Sequence, residues 1–282
     1  MTVTSVQTYQ RPSSIEEAWS LLNDGGKSAK LVGGGVDVAL FAPPEILTLI
    51  DLALLPTRSI ELRSDGLAIG AGVTLTDLLE SPLAAAYLDG VVVTMLRQVA
   101  APLLRNAATV GGALASTHPW SDVITLFLAL DAQVTQYSGQ LQTSSLENLM
   151  EQRGTIDRTI ITEVLLPIPA DDVYASFEKF VRTGFDIGML NCACRLTMNG
   201  DRCESGRIVF GGTPDIGHRL EAIERALAGA RLDDATIDSA AQLARQALAL
   251  RDDVRASAEY RRVLAVAGIR RCLMRIAQRV GE

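Results

Sequence analysis

Along the chain, hydrophobic positions alternate between a helical spacing and short apolar runs broken by glycine or proline. SSIEEAWSLLND places serines ahead of two glutamates, then Ala, Trp and Leu one helical turn apart; this predicts a capped helix stopped by Gly25 and Gly26. AKLVGGG predicts a buried strand running into three glycines, and PPEILTLIDL predicts another strand after a proline break. ELRSDGLAIGAGVTLTDLLES predicts two strands around an Asp65-Gly66 turn and a helix from about Thr74. A helix is expected over about 84–100. ITLFLALDAQVTQY then reads as helix and strand, ENLMEQR as a short helix, and TIITEVLLPIP as a strand closed by prolines.

Beyond Pro169 the pattern changes. Three strand-like segments follow, with a hairpin signal at Asn199-Gly200-Asp201, and from about residue 216 the chain is helical and rich in Ala, Arg and Leu. Strands and helices mix without a regular βαβ alternation, so the expected class is α+β. The expected domains are 1–171, with subdomains of about 1–56 and 57–171, and 172–282.

Composition narrows the possible functions. Of 282 residues 48% are hydrophobic and only 5% aromatic, so the core is built mainly from Ala, Val, Leu and Ile. A formal net charge of −7 makes the chain a poor holder of a nucleic-acid backbone. It contains no apolar run of about 18 residues, so no membrane span is expected. MTVTSVQTYQRPSS has neither a basic n-region nor an apolar h-region, and the expected compartment is the cytoplasm. The cysteines, Cys192, Cys194, Cys203 and Cys272, match no zinc or iron–sulfur spacing. Cys192 and Cys194 share one face of a predicted strand and read as buried free thiols, so no metal ligands are assigned.

Three glycine sites follow apolar runs: VGGGVD at 32–37, GAG at 70–72 and VGGA at 110–113. Glycine there permits positive φ and lets several N–H groups converge on one anion. GAGVTL lacks the third glycine of a dinucleotide fingerprint, and no site is followed by the Lys-Ser/Thr of a P-loop. Two Gly-Gly turns distant in sequence suit opposite sides of one pyrophosphate. With no lysine or arginine cluster beside them, backbone amides would carry much of the anion binding. On this reading a side chain at Gly111 would block the phosphate. Asp122, beyond the second turn, suits either a helix cap or a hydrogen bond to a ribityl chain, a ribose or a ring N–H.

These residues carry a resemblance. VGGGVD, then Arg105-Asn106 followed by TVGGA, ALASTHPWSD, Lys179 with Arg182 and FDIG, and RDDVRASAEYR at 251–261 stand in the order found in the FAD-binding medium subunits of molybdenum hydroxylases, relatives of xanthine dehydrogenase and carbon monoxide dehydrogenase. The resemblance covers nearly the whole chain. It implies a two-part FAD-binding domain of the p-cresol methylhydroxylase type followed by a smaller α/β C-terminal domain of the CO dehydrogenase flavoprotein type. It further implies non-covalent FAD, held by Val32, Gly33, Gly34, Gly35, Val36 and Asp37 in the first loop. Thr109, Val110, Gly111, Gly112, Ala113 and Ser116 would serve in the second, together with Asp122. Lys179 maps onto a lysine near the isoalloxazine ring, where a cation stabilises reduced, anionic flavin; from the residues alone it reads as a solvated strand residue. Ala113, His118 and Trp120 depart from the family pattern, which has asparagine, serine or aspartate, and a small residue at those places.

The implied role is electron transfer. Substrate would react at a molybdenum cofactor on a large subunit, and electrons would pass through two [2Fe-2S] clusters on a small subunit to this flavin and then to an acceptor, in a complex expected to be a dimer of heterotrimers. No catalytic residue for the substrate is expected here. The alternative is a stand-alone FAD oxidase or dehydrogenase of the same fold. Such enzymes often attach flavin to a histidine where this chain has Gly35. A third reading is a module that has lost its flavin.

Overall fold

The computed structural model describes residues 5–281; residues 1–4, where the reading of the N-terminus begins, and residue 282 lie outside it. The chain forms two compact units, each from separate stretches. One comprises residues up to Leu83, Ala101–Thr117 and Ala132–Pro167; the other comprises Ala84–Ala100, His118–Asp131 and the residues from Ile168 onward. Two stretches from the middle of the expected first domain, 84–100 and 118–131, thus fold with the C-terminal residues.

The first unit contains two sheets among its described residues. Strands β1 (Thr8–Gln10), β2 (Ala29–Val32) and β3 (Thr48–Asp51) form a parallel sheet in the order β1-β3-β2. Helix Ile15–Asp24 lies on it because its spacing puts Ala18 and Leu22 on one stripe, where they are buried with Ala29, Ile50 and Leu55. The Ser14 hydroxyl accepts from the Glu17 N–H at 3.2 Å and so starts the helix, as the serine-acid pattern predicts. The second sheet is antiparallel: β4 (Ile60–Leu62), β5 (Gly66–Gly70), β6 (Gln133–Tyr137), β7 (Leu141–Ser145) and β8 (Ile160–Pro167), in the order β4-β5-β8-β6-β7. Strands β1 and β7 have no counterpart in the sequence reading. Both are short and largely exposed, so neither carries an apolar run.

The second unit is built on an antiparallel sheet of β9 (Val173–Phe180), β10 (Leu190–Asn199), β11 (Arg202–Gly211) and β12 (His218–Arg219), in the order β12-β11-β10-β9. The Asn199-Gly200-Asp201 signal closes the β10–β11 hairpin as expected, with Gly200 at φ 57°. Helix Ala258–Val280 packs on β9 and β10, and helix Asp122–Ala129 packs on β10 and β11. Alternation along β10 sorts its residues: Cys192, Cys194 and Leu196 enter the core with the C-terminal helices, while Asn191 reaches Asp122.

The helix expected over 84–100 is instead broken. Helical turns at Pro82–Ala86 and Val91–Leu96 are separated by Leu88, Asp89 and Gly90 with φ of 43°, 53° and 71°. Three left-handed residues in a row reverse the chain, which an apolar helical pattern does not reveal.

The loop after β2 is held by a close backbone approach. A methyl group on Gly34 would fall on the Ala107 carbonyl oxygen, and one on Gly33 would stand 2.6 Å from the Thr109 Oγ1. A methyl group on Gly35 would meet only the Val32 Cγ1, at an ordinary contact distance of 3.8 Å, but the φ of Gly35 is 76°. Gly35→Ala should therefore cost about 1–2 kcal/mol, the strain of a left-handed alanine. Gly34→Ala should cost more, because two backbone segments must separate. Urea unfolding of each variant, followed by the fluorescence of Trp19 in this unit, checks the order.

Candidate functional site

The first loop begins where β2 ends at Val32. Gly33, Gly34 and Gly35 follow, and Val36 and Asp37 open the short helix Val36–Phe41. Gly35 (φ 76°, ψ −8°) is left-handed ahead of a right-handed helical turn, the kind of alternation in which successive backbone amides can meet one anion. Among the described residues, the amides of Gly33, Gly34, Gly35, Val36 and Val38 donate to no protein acceptor. Unpartnered donors in a row are rare in folded chains unless water or a ligand meets them.

The second loop lies against the first, as the paired-turn reading requires, but its amides are not available. Thr109 caps the helix Val110–Ala115, its Oγ1 accepting from the Gly112 N–H at 3.1 Å. The Val110 N–H donates to the Val73 carbonyl at 2.9 Å, the Gly111 N–H to the Ala71 carbonyl at 2.8 Å, and the Ala113 N–H to the Thr109 carbonyl at 2.9 Å. Ser116 ends the helix, with its N–H on the Gly112 carbonyl and its hydroxyl on the Ala113 carbonyl. The expectation that both loops present amides is therefore corrected: the helix and its neighbours consume those of 110–113. Gly111 is also reassigned. A methyl group there would stand 2.7 Å from the Ala71 Cβ and 3.0 Å from the Ala71 carbonyl oxygen, so this glycine is required by the GAG turn and does not keep a path open for a phosphate.

Asp122 and Lys179 both lie in the second unit and meet directly. Lys179 on β9 and Asn191 on β10 are register partners, and both point at the first turn of helix Asp122–Ala129. The Lys179 Nζ donates to the Asp122 Oδ2 at 2.7 Å and to the Gln98 carbonyl at 2.9 Å, and the Asn191 Nδ2 donates to the Asp122 Oδ1 at 2.6 Å. The side chains of Lys179 and Asp122 are 3% and 7% exposed, so the solvated-strand reading of Lys179 is wrong. Ser121 is the cap, accepting from the Ile124 N–H at 3.3 Å, which leaves the Asp122 carboxylate for the ion pair. Burial pushes the Asp122 carboxyl up from its ordinary value, against the downward pull of Lys179 and Asn191.

Three features escaped sequence reasoning. The His118 imidazole stacks on Trp120 with centroids 4.6 Å apart and planes 11° from parallel, and the Arg255 guanidinium sits 5.1 Å from the centre of the Trp120 ring. Two of the three departures from the family pattern, His118 and Trp120, thus form one layered group with an arginine far along the chain. Gln98 supplies a carbonyl to Lys179 from a segment that the sequence assigned to an unbroken helix. Cys272, on the inner face of helix Ala258–Val280, joins Cys192 and Cys194, with the three Sγ atoms within 4.8 Å of one another. The inward helical position of Cys272 is a signal of burial, but no spacing rule links it to cysteines so distant in sequence.

Comparison with known proteins agrees with this architecture. Residues 4–169 match the family described as FAD binding domain in molybdopterin dehydrogenase, and residues 175–276 match the CO dehydrogenase flavoprotein C-terminal domain. The chain is 27% identical to the carbon monoxide dehydrogenase medium chain of Hydrogenophaga pseudoflava, over 94% of this chain and 95% of that one. It is 29% identical to the nicotine 6-hydroxylase medium subunit of Paenarthrobacter nicotinovorans, over 96% and 97%. Among solved structures, it superposes on a chain of quinoline 2-oxidoreductase from Pseudomonas putida 86 with a TM-score of 0.88 at 26% identity, covering 99% of each. For a carbon monoxide dehydrogenase from Hydrogenophaga pseudoflava the TM-score is 0.89 at 26% identity, again covering 99% of each chain. With its α+β first part, its helix-covered second sheet and the paired glycine loops, the chain belongs to the FAD-binding domain family of the molybdopterin dehydrogenases and carries that family's CO dehydrogenase flavoprotein C-terminal domain.

Proposed function

We propose that this chain is the FAD-binding electron-transfer subunit of a molybdenum-containing hydroxylase or dehydrogenase complex. It would receive electrons from iron–sulfur clusters on a small partner subunit and pass them to an external acceptor, while substrate reacts on a large molybdenum subunit. The assembly would be a cytoplasmic dimer of heterotrimers. Among the described residues no helix is long and apolar enough to cross a membrane. The observation that carries the reading is the first glycine loop. Its unpartnered amides fit a diphosphate, and the abutting second loop holds it in shape.

Each part of the chain then has a task. The N–H groups of Gly33–Val36 bind the FAD diphosphate, strengthened because a charged acceptor replaces water. Thr109–Ala113 and Ser116 form the rigid wall that fixes the loop. Asp122 orients Lys179, whose ammonium has three donors and spends two within this unit, on the Asp122 carboxylate and the Gln98 carbonyl. Bound FAD supplies the redox chemistry. Four relatives are named as medium chains or medium subunits of a carbon monoxide dehydrogenase, a nicotine 6-hydroxylase and a glyceraldehyde dehydrogenase, and that range of substrates supports a reading in which the substrate is chosen elsewhere in the complex.

The diphosphate assignment predicts a preference between flavins. Apoprotein should take up FAD, and FMN, which lacks the diphosphate bridge, should bind about 100-fold more weakly, the equivalent of two charge-assisted hydrogen bonds. Fluorescence titration measures both affinities; equal binding would remove the loop from the site. Acid precipitation should leave the flavin in the supernatant, whereas flavin retained on the chain would favour the stand-alone oxidase. A purified protein that neither carries nor takes up FAD would mark a module that has lost it.

The buried ion pair gives a separate prediction. Lys179→Met strands the Asp122 carboxylate and should cost about 3–5 kcal/mol, while the double variant with Asp122→Leu should recover most of that loss. Urea unfolding followed by the fluorescence of Trp120 tests both.

A further inference from the structure

The core of the second unit holds a group of donors that the flavin reading does not use. Cys192 and Cys194 stand on the same face of β10, with Sγ atoms 3.9 Å apart, and Cys272 comes down on them from helix Ala258–Val280. All three are fully buried, and none is in a disulfide. The spacing has a chemical meaning. A cation at the centre of a triangle of sulfurs, with metal–sulfur bonds of about 2.3 Å, sets the sulfurs about 4 Å apart. The observed edges begin at that value and reach at most 4.8 Å, so only a few tenths of an ångström of movement per sulfur separates this cluster from a trigonal site.

We propose that Cys192, Cys194 and Cys272 form a three-sulfur binding site for a monovalent thiophilic cation of the copper(I) type. Ligand number and softness decide against zinc. Among the described residues no histidine, fourth cysteine or carboxylate joins the cluster, and a fully buried site offers no water as a fourth ligand. Zinc completes four positions, whereas copper(I) is content with two or three sulfurs. Glu178, opposite Cys192 on the neighbouring strand β9, is taken up by Arg271 and Arg275 at 2.7 Å each. Those two arginines exceed Glu178 by one positive charge, which offsets the charge that the site acquires.

Binding is a proton exchange with no change of oxidation state. Two S–H bonds break, two sulfur–copper bonds form, two protons leave to solvent, and the third sulfur completes the coordination while keeping its proton. The net charge of the copper and two thiolates is then −1. Burial pushes the Cys192 and Cys194 thiols well up, so without a cation they stay protonated.

The test uses the purified full chain under anaerobic conditions, equilibrated with copper(I) supplied as its bathocuproine disulfonate complex. The expected result is one copper per chain, about two protons released per copper, and an X-ray absorption spectrum showing sulfur ligands only. Cys203→Ala, which changes a cysteine of the same core outside the cluster, should leave the stoichiometry unchanged; Cys192→Ala with Cys194→Ala should abolish it. Absence of copper uptake by the unmodified chain, nitrogen or oxygen ligands in the spectrum, or equal uptake by the double variant would overturn the site and leave three thiols that only fill the core. The unmodified chain decides the matter even if the double variant fails to fold.

Discussion

The first unit depends on the contact between the Gly34 backbone and the carbonyl of Ala107. Two chain segments far apart in sequence approach so closely there that no side chain fits. Strand β2 must deliver its loop to that point, and helix Pro102–Ala107 must end there. Thr109 then begins the next helix against Gly33 and also bridges to Thr74. One loop is consequently a finished piece of protein, with every amide from Val110 to Ala113 engaged, and the other is a held-open row of donors. A pair of flexible glycine loops would have to lose conformational freedom on binding an anion; this pair has lost it already on folding.

Much of this was legible in the sequence, for reasons that differ by element. The strands that bury both faces and the helices with a clear apolar stripe announce themselves, as β8 and helix Ile15–Asp24 do. The glycine loops were visible because glycine next to glycine after an apolar run has few other uses. The division of labour between the loops was not visible, because it rests on which carbonyl each amide meets, and Ala71 and Val73 lie in a different turn altogether. Gly111 shows the same limit. Its lack of a side chain marks a close approach without saying what approaches, and the neighbour proved to be alanine. Lys179 looked solvated because a lone lysine in a strand usually is; only the register of β9 and β10 brings it to Asp122.

Strand β10 keeps two incompatible chemistries apart. On one face Asn191 joins an ion pair that needs polar partners on every side; on the other Cys192 and Cys194 sit in a dry, sulfur-rich core. Both are buried, and both rely on contacts from segments remote in the chain: Gln98 and Asp122 on one side, Cys272 on the other. The alternation of a strand is enough to insulate them, since neighbouring residues point in opposite directions.

The interleaving of the two units has a consequence for synthesis. The chain passes from one to the other after residues 83, 100, 117, 131 and 167, so neither is a continuous stretch of sequence. As the ribosome releases the chain, segments 84–100 and 118–131 emerge long before β9, β10 and the last helix exist to receive them. Their apolar side chains, Val91–Val93, Ile124 and Leu126–Leu128 among them, must wait uncovered. Nascent chains in that state are prone to aggregate and to engage chaperones. The same layout makes the apparent seam near residue 170 a poor place to divide the polypeptide, because a fragment ending there carries two buried segments without the sheet on which they rest.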